Sequence, residues 1–244
     1  MFVGRENELR DLNAAYDTGR FQAVVLYGRR RIGKTYLISE FIKDKPHIFF
    51  TAQEATDKVN LTLFAEKVSA FFGLHQGVQF ASWDAAFAYL GDQAAQKQFI
   101  LAFDELPYAC NANPALRSIL QNAIDHQLKD GKLFLILCGS QISFMEKEVL
   151  GYKSPLFGRR TMQICLSGFD YLDAAKMLPG YSDEDKVRFY ACVGGTPHYL
   201  AQIDTNQSFA DNIKRLYFRN TGYLYRKTLC FCTCTLVRRI AHTA

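Results

Sequence analysis

"VVLYGRRRIGKTYLISEFI", residues 24–42, joins a β-branched apolar run to a segment of helical period through a glycine-bounded turn that carries three consecutive arginines. From Gly28 to Thr35 it satisfies G-x-x-x-x-G-K-T, and it does so in the one context where that spacing has a mechanism, after a strand and opening a helix. The mechanism is anion binding. Backbone N–H groups wrap a phosphate only where no Cβ obstructs the turn, and the N-terminus of the following helix favours negative charge. Gly28, Arg29, Arg30, Arg31, Ile32, Gly33, Lys34, Thr35 and Tyr36 are therefore the expected nucleotide-binding loop. Within it Lys34 reaches the β- and γ-phosphates, and the Thr35 hydroxyl ligates Mg²⁺. The three arginines can point outward without disturbing such a cradle. A solvated basic loop and a phosphate or partner contact both remain open for them.

Working outward, four more apolar β-rich runs follow: "HIFFT" (47–51), "QFILAFDE" (98–105), "KLFLILCGS" (132–140) and "TMQICLSGF" (161–169). Segments of helical period separate them at 35–43, 59–72, 83–95 and 115–128. Strands apolar on both faces and separated by helices imply an α/β fold, a parallel sheet covered by helices on each side. From residue 170 onward the pattern changes to short helices broken by Gly180, Gly194-Gly195 and Pro197. The expected organisation is a P-loop core over 1–169, a small helical lid domain over 170–225 and an atypical tail over 226–244.

The second of these runs ends in two carboxylates. Asp104, at the carboxyl end of an apolar strand, would hold Mg²⁺ through water, and Glu105 is placed to orient or deprotonate an attacking water. An ordinary turn carrying two carboxylates is the alternative. The absence of an N-K-x-D motif favours ATP over GTP. Ser140 closes the third run, where ligands gather at the carboxyl edge of such sheets, although simple strand-end capping would place a serine there too. Arg159 and Arg160, in the loop before the last strand, have the chemistry to stabilise a transferring phosphoryl group, or else are a structural surface pair.

About half of the 244 residues are hydrophobic, enough to bury a sizeable core, and no run reaches a membrane span's length or resembles a secretory signal. A cytoplasmic location without a membrane partner is the expectation. Of seven cysteines, Cys110, Cys138, Cys165 and Cys192 are dispersed and read as buried free thiols, while "CFCTC" at 230–234 lacks the spacing of a zinc module. Seven basic residues and no acidic one follow Asp211, leaving a near-neutral body and a basic tail. Such a tail would meet nucleic acid, solvent or a protein partner.

Five stretches together resemble a family: "FVGRENEL" (2–9), "GRRRIGKT", "LAFDEL", "LCGSQISFMEKEVLGYKSPLFGRRT" (137–161) and "GGTPHYL" (194–200). They are similar to the prokaryotic and archaeal ATPases of AAA type placed in the STAND class of signal-transduction ATPases. The resemblance implies an ATPase, slow in isolation, that binds ATP·Mg²⁺ between core and lid and uses hydrolysis as a conformational switch. It implies that Gly4, Arg5 and Glu6 line the adenine side, that Ser140 is the first sensor, and that Gly195-x-Pro197 is the lid signature with Pro197 near the base. It also places Arg159 and Arg160 in the family's G-R-R element. A homo-oligomer or a protein effector is the implied partner. Little-turnover interaction modules and DNA-processing ATPases are the competing readings. Family members continue past the lid, whereas here "RKTLCFCTCTLVRRIAHTA" follows Tyr225, so the expectation is a truncated C-terminus, produced by a frameshift or native to a short chain.

Overall fold

The computed structural model describes residues 2–75 and 78–225; the tail with its "CFCTC" cluster lies outside them. The described chain divides into two compact units, one spanning Gly4–Ser167 and the other beginning at Gly168.

The first unit is built on five parallel strands, β1 (Gln22–Gly28), β2 (His47–Thr51), β3 (Phe99–Asp104), β4 (Leu133–Gly139) and β5 (Met162–Leu166), in the order β2-β3-β4-β1-β5. All seven residues of β4 and all six of β3 are buried, which is why these runs read as continuously apolar. Side chains still alternate between two cores. Phe99, Leu101, Phe103, Leu133, Leu135 and Leu137 face one, and Ile100, Ala102, Phe134, Ile136 and Cys138 face the other.

Helices α1 (Glu6–Asp17) and α2 (Lys34–Ile42) cover the second face through Leu12, Leu37, Ile38 and Phe41. The first face is covered by α3 (Asp57–Phe72), α4 (Trp83–Gln96), α5 (Leu106–Ala112) and α6 (Leu116–Ala123). An aromatic cluster fills it: Phe50 meets Phe103 edge to face at 4.9 Å, and Phe64 lies 5.1 Å from Trp83. A five-residue π-helical turn, Ile124–Leu128, prolongs α6, and another, Met145–Val149, follows the short α7 (Ile142–Phe144).

The second unit consists of α8 (Tyr171–Lys176), α9 (Asp183–Val193), α10 (Pro197–Leu200) and α11 (Phe209–Ile213), the last continued by a π-helical turn, Lys214–Phe218. Asp170, Ser182 and Ser208 cap three of these helices by accepting from backbone N–H groups. Their core is Phe169, Ala174, Leu178, Phe189, Val193, Leu200 and Leu216. After α9 the backbone at Gly195 passes so close to Phe169 that its carbonyl accepts from Phe169 N at 2.7 Å.

The expectation of buried thiols needs correction at two positions. Cys110 and Cys138 are buried, but Cys165 and Cys192 are exposed. Cys165 lies on β5, an edge strand whose alternate residues are uncovered, so an apolar run there does not guarantee burial. Among the described residues no helix is long and apolar enough to cross a membrane.

Candidate nucleotide-binding site

The loop between β1 and α2 owes its path to its two glycines. Gly28 has φ +151°, and a Cβ there would lie 2.4 Å from the Leu166 carbonyl oxygen on the neighbouring β5. Gly33, at φ +95°, stands at the N-terminus of α2 in a left-handed conformation that favours glycine. Lys34 is buried, and its Nζ donates to the carbonyls of Gly28 at 2.9 Å and Arg29 at 3.0 Å, so the lysine ties the loop back on itself. Thr35 and Tyr36 are exposed; the Tyr36 ring stacks on Phe2 with centroids 5.7 Å apart.

Asp104 continues the even-numbered face of β3, the face that α2 covers, and this register carries its carboxylate to the Thr35 hydroxyl, which donates to Asp104 Oδ2 at 3.2 Å. A hydroxyl and a carboxylate are the hard oxygen donors magnesium takes when phosphate and water complete its shell. Among the described residues no group of three His, Cys, Asp or Glu side chains forms a separate metal site. Beneath Asp104, the Cys138 thiol is pushed well above its ordinary pKa, first by burial and then by the adjacent carboxylate, so it is an inert packing group.

Glu105 takes the left-handed conformation at φ 53°, unusual for a residue with a Cβ. It is the residue before α5, and its Oε2 accepts from the Ser140 hydroxyl at 2.9 Å and the Ser140 N–H at 3.3 Å rather than from the helix. Such backbone strain persists where surrounding contacts hold it, and it concentrates at functional sites. The strand order explains the contact: β4 stands between β1 and β3, so Ser140 at its end lies between the phosphate loop and the two carboxylates.

The arginines separate into distinct roles. Arg29, Arg30 and Arg31 are all exposed, but Arg30 turns inward over the sheet edge rather than outward, its Nε donating to Ser140 Oγ at 3.4 Å and its guanidinium bonding the Tyr108 hydroxyl. Tyr108 escaped the sequence reading; its place one turn after Glu105, at the start of the segment that follows the carboxylate pair, was the available signal. Arg5 is buried and bonds the backbone carbonyls of Ile32 and Ser167, which ties the chain's start to the loop and to the end of β5. Gly4 N donates to Glu6 Oε1 at 3.2 Å. In the second unit, Pro197 is the first residue of α10.

Arg159 is committed elsewhere in the first unit. Its Nε and an Nη grip Asp125 bidentately at 2.8 and 2.7 Å, and a further Nη donates to the carbonyls of Pro155 and Phe157. Arg160 lies 5.9 Å over the Phe157 ring. The Arg159 guanidinium holds the Asp125 carboxyl below its ordinary pKa. A depressed folded-state pKa contributes stability above the ordinary carboxylate range and loses it as pH falls. Arg159→Gln should therefore lower stability by about 1 kcal/mol at neutral pH. The deficit should start to shrink below about pH 4 and go on shrinking as pH falls through the lowered Asp125 pKa, leaving only the part due to the Pro155 and Phe157 carbonyl contacts. Chemical denaturation at neutral and at acid pH checks this; a deficit equal at both would assign it to something other than the ion pair.

Comparison with known proteins bears on this geometry. The model of an ATPase domain predominantly from Archaea matches residues 2–203. An uncharacterized protein of Methanocaldococcus jannaschii is 35% identical over 205 residues, 83% of this chain and 44% of that protein, so the chain spans less than half the relative's length. An uncharacterized ATP-binding protein of the same organism is 44% identical over 45 residues, 18% of this chain and 76% of that protein. Among solved structures, a Walker-type ATPase of Pyrococcus abyssi superposes with a TM-score of 0.69 at 21% identity, over 99% of this chain and 77% of that one. The Aeropyrum pernix ORC1 protein, solved in complex with DNA, gives 0.58 at 17% identity, over 83% of this chain and 59% of that one. These two likenesses bear on the fold, which is that of the P-loop ATPases. With a family model matching from Phe2 to Ile203 and the loop, carboxylate pair and Ser140 assembled as described, the chain belongs to the ATPase-domain family found predominantly in Archaea.

Proposed function

We propose that this chain hydrolyses ATP with magnesium and that the cycle drives a conformational switch of the signal-transduction type. The observation that carries the reading is the convergence of Lys34, Thr35, Asp104, Glu105 and Ser140 at the carboxyl edge of adjacent strands. Gly28–Thr35 cradle the phosphates; Thr35 and Asp104 would hold a magnesium ion, which when bound would neutralise charge on the phosphate oxygens. Glu105 orients the attacking water and takes its proton, and Ser140 fixes the carboxylate that does so.

The helical unit that begins at Gly168 is the moving part in this reading, with Gly195 and Pro197 in its lid signature. Turnover is slow without a partner. Because Arg159 is already paired with Asp125, Arg160 is the better candidate for an arginine acting on a phosphate, in cis or from a second copy.

The test is ATP binding and hydrolysis by the purified chain beside Lys34→Ala, across a range of protein concentrations. Loss of Lys34 should weaken ATP binding by about 100-fold or more, as expected for a desolvated charge on phosphate. Turnover that rises with concentration supports an arginine supplied between copies. Tight binding without hydrolysis at any concentration refutes the hydrolytic reading and leaves an ATP-binding module.

A further inference from the structure

Arg30 offers a path from the phosphate loop to the carboxylate that the nucleotide-binding motif alone does not require. The loop leaves β1, and the Arg30 side chain crosses the end of β4 to reach Ser140 and then Tyr108 on α5. The Ser140 hydroxyl accepts from Arg30 and donates to Glu105, which is what a hydroxyl, as both donor and acceptor, permits. Guanidinium, hydroxyl and carboxylate thus form one directed chain, anchored at its far side by the Tyr108 hydroxyl. A guanidinium carries five N–H donors in a planar fork matched to phosphate oxygens, and these two contacts occupy only part of it. A water activated by Glu105 must stand next to the phosphorus it attacks, so the terminal phosphate comes within reach of the groups around Glu105, and Arg30 is the loop cation turned toward them.

We infer that Arg30 reads the terminal phosphate of the bound nucleotide and reports it to Glu105 through Ser140, so that the site distinguishes a nucleoside triphosphate from a diphosphate. The inference rests on the ATP-hydrolysing reading above and adds to it a specificity-determining residue. A diphosphate satisfies Lys34 and the loop backbone but leaves Arg30 on Ser140 and Tyr108. A triphosphate draws the fork toward its third phosphate and frees the Ser140 hydroxyl from one of its two partners.

The experiment uses the full chain and compares Mg·ATP with Mg·ADP by titration calorimetry, alongside steady-state turnover. Arg30 is exposed, so its replacement removes no core contact. Arg30→Gln should weaken ATP by about 10-fold while ADP stays within about two-fold, and should lower kcat by about 100-fold. Arg30→Lys, which keeps the charge without the fork, should recover part of the ATP affinity and little of kcat. Because the effect passes through Ser140, adding Arg30→Gln to Ser140→Ala should reduce kcat little further.

Equal weakening of both nucleotides would reduce Arg30 to general electrostatics and overturn the inference, as would unchanged binding of both or multiplicative losses in the double variant. If the unmodified chain binds nucleotide without hydrolysing it, the hydrolytic reading fails and the ATP-to-ADP affinity ratio alone decides the role of Arg30. If the unmodified chain binds neither nucleotide, both fall.

Discussion

Glu105→Gln should reduce ATP turnover by about a thousandfold while leaving ATP binding close to that of the unmodified chain. General-base assistance is worth about 10² to 10⁴ in rate, and a thousandfold loss is about 4 kcal/mol of barrier. The substitution isolates that contribution because it spares the geometry. The glutamine side-chain oxygen can accept the two Ser140 donors that Glu105 Oε2 accepts now, and the left-handed backbone at φ 53° is asked of either residue. Lys34, Thr35 and Asp104 keep their contacts, so the loop proposed to hold the phosphates is untouched. Single-turnover hydrolysis beside equilibrium ATP titration is the measurement. A variant that turns over as fast as the unmodified chain would remove Glu105 from the chemistry and send the search for a base elsewhere.

Gly195→Ala should destabilise the helical unit by about 3 to 5 kcal/mol, combining steric overpacking with the loss of a backbone hydrogen bond. A Cβ at this position would lie 1.9 Å from the Phe169 carbonyl oxygen, a backbone atom with no rotamer to change. Relieving the overlap pulls Gly195 away from Phe169 and breaks the 2.7 Å bond between Phe169 N and the Gly195 carbonyl. Phe169 belongs to the core of this unit, so the displacement spreads to Phe189 and Leu200. Gly180 provides the contrast: it has a positive φ of +87°, but a Cβ there would meet nothing within 4 Å. Alanine there should cost only the conformational term, about 1 kcal/mol. Limited proteolysis with mass mapping reads the difference, as cleavage after Gly168 that rises sharply for Gly195→Ala and little for Gly180→Ala. Equal resistance of both variants would mean that the close approach at Phe169 is not a structural requirement.

The parts of the fold that were legible in the sequence are those whose signal is local. Each of the five apolar runs became a strand; β3 and β4, buried on both faces, read as unbroken ones, while β2 and β5 at the sheet edges keep enough apolar and β-branched residues to be seen. Helix α1 went unread, since its buried face reduces to Leu12 among many polar residues. Helix α5 was hidden by its seven-residue length and by Pro107 in its first turn. The thiols of Cys165 and Cys192 were misjudged because apolar neighbours in sequence do not reveal which strand lies at an edge or which helix face is covered.

The candidate site divides along the same line. The candidate residues of the loop from Gly28 to Thr35 and the pair Asp104-Glu105 stand out in the sequence, because the phosphate-wrapping and metal-holding chemistry proposed for them asks for residue types at short fixed spacings. The contacts of Arg30 and Arg159 do not, because a long flexible side chain takes its direction from partners far away in sequence. Ser140 is 110 residues from Arg30, and Asp125 is 34 residues from Arg159.

By itself, then, the sequence determined an α/β chain with a glycine-bounded loop between a strand and a helix, a carboxylate pair and a helical segment after it, since each follows from contacts between near neighbours. Tertiary structure alone decided that β4 is threaded between β1 and β3, which brings Ser140 to Glu105 and lets Arg30 span both. Strand order is a choice among crossover connections that leave the local pattern of every strand unchanged, so the pairing of distant segments selects it and no window of the chain records it.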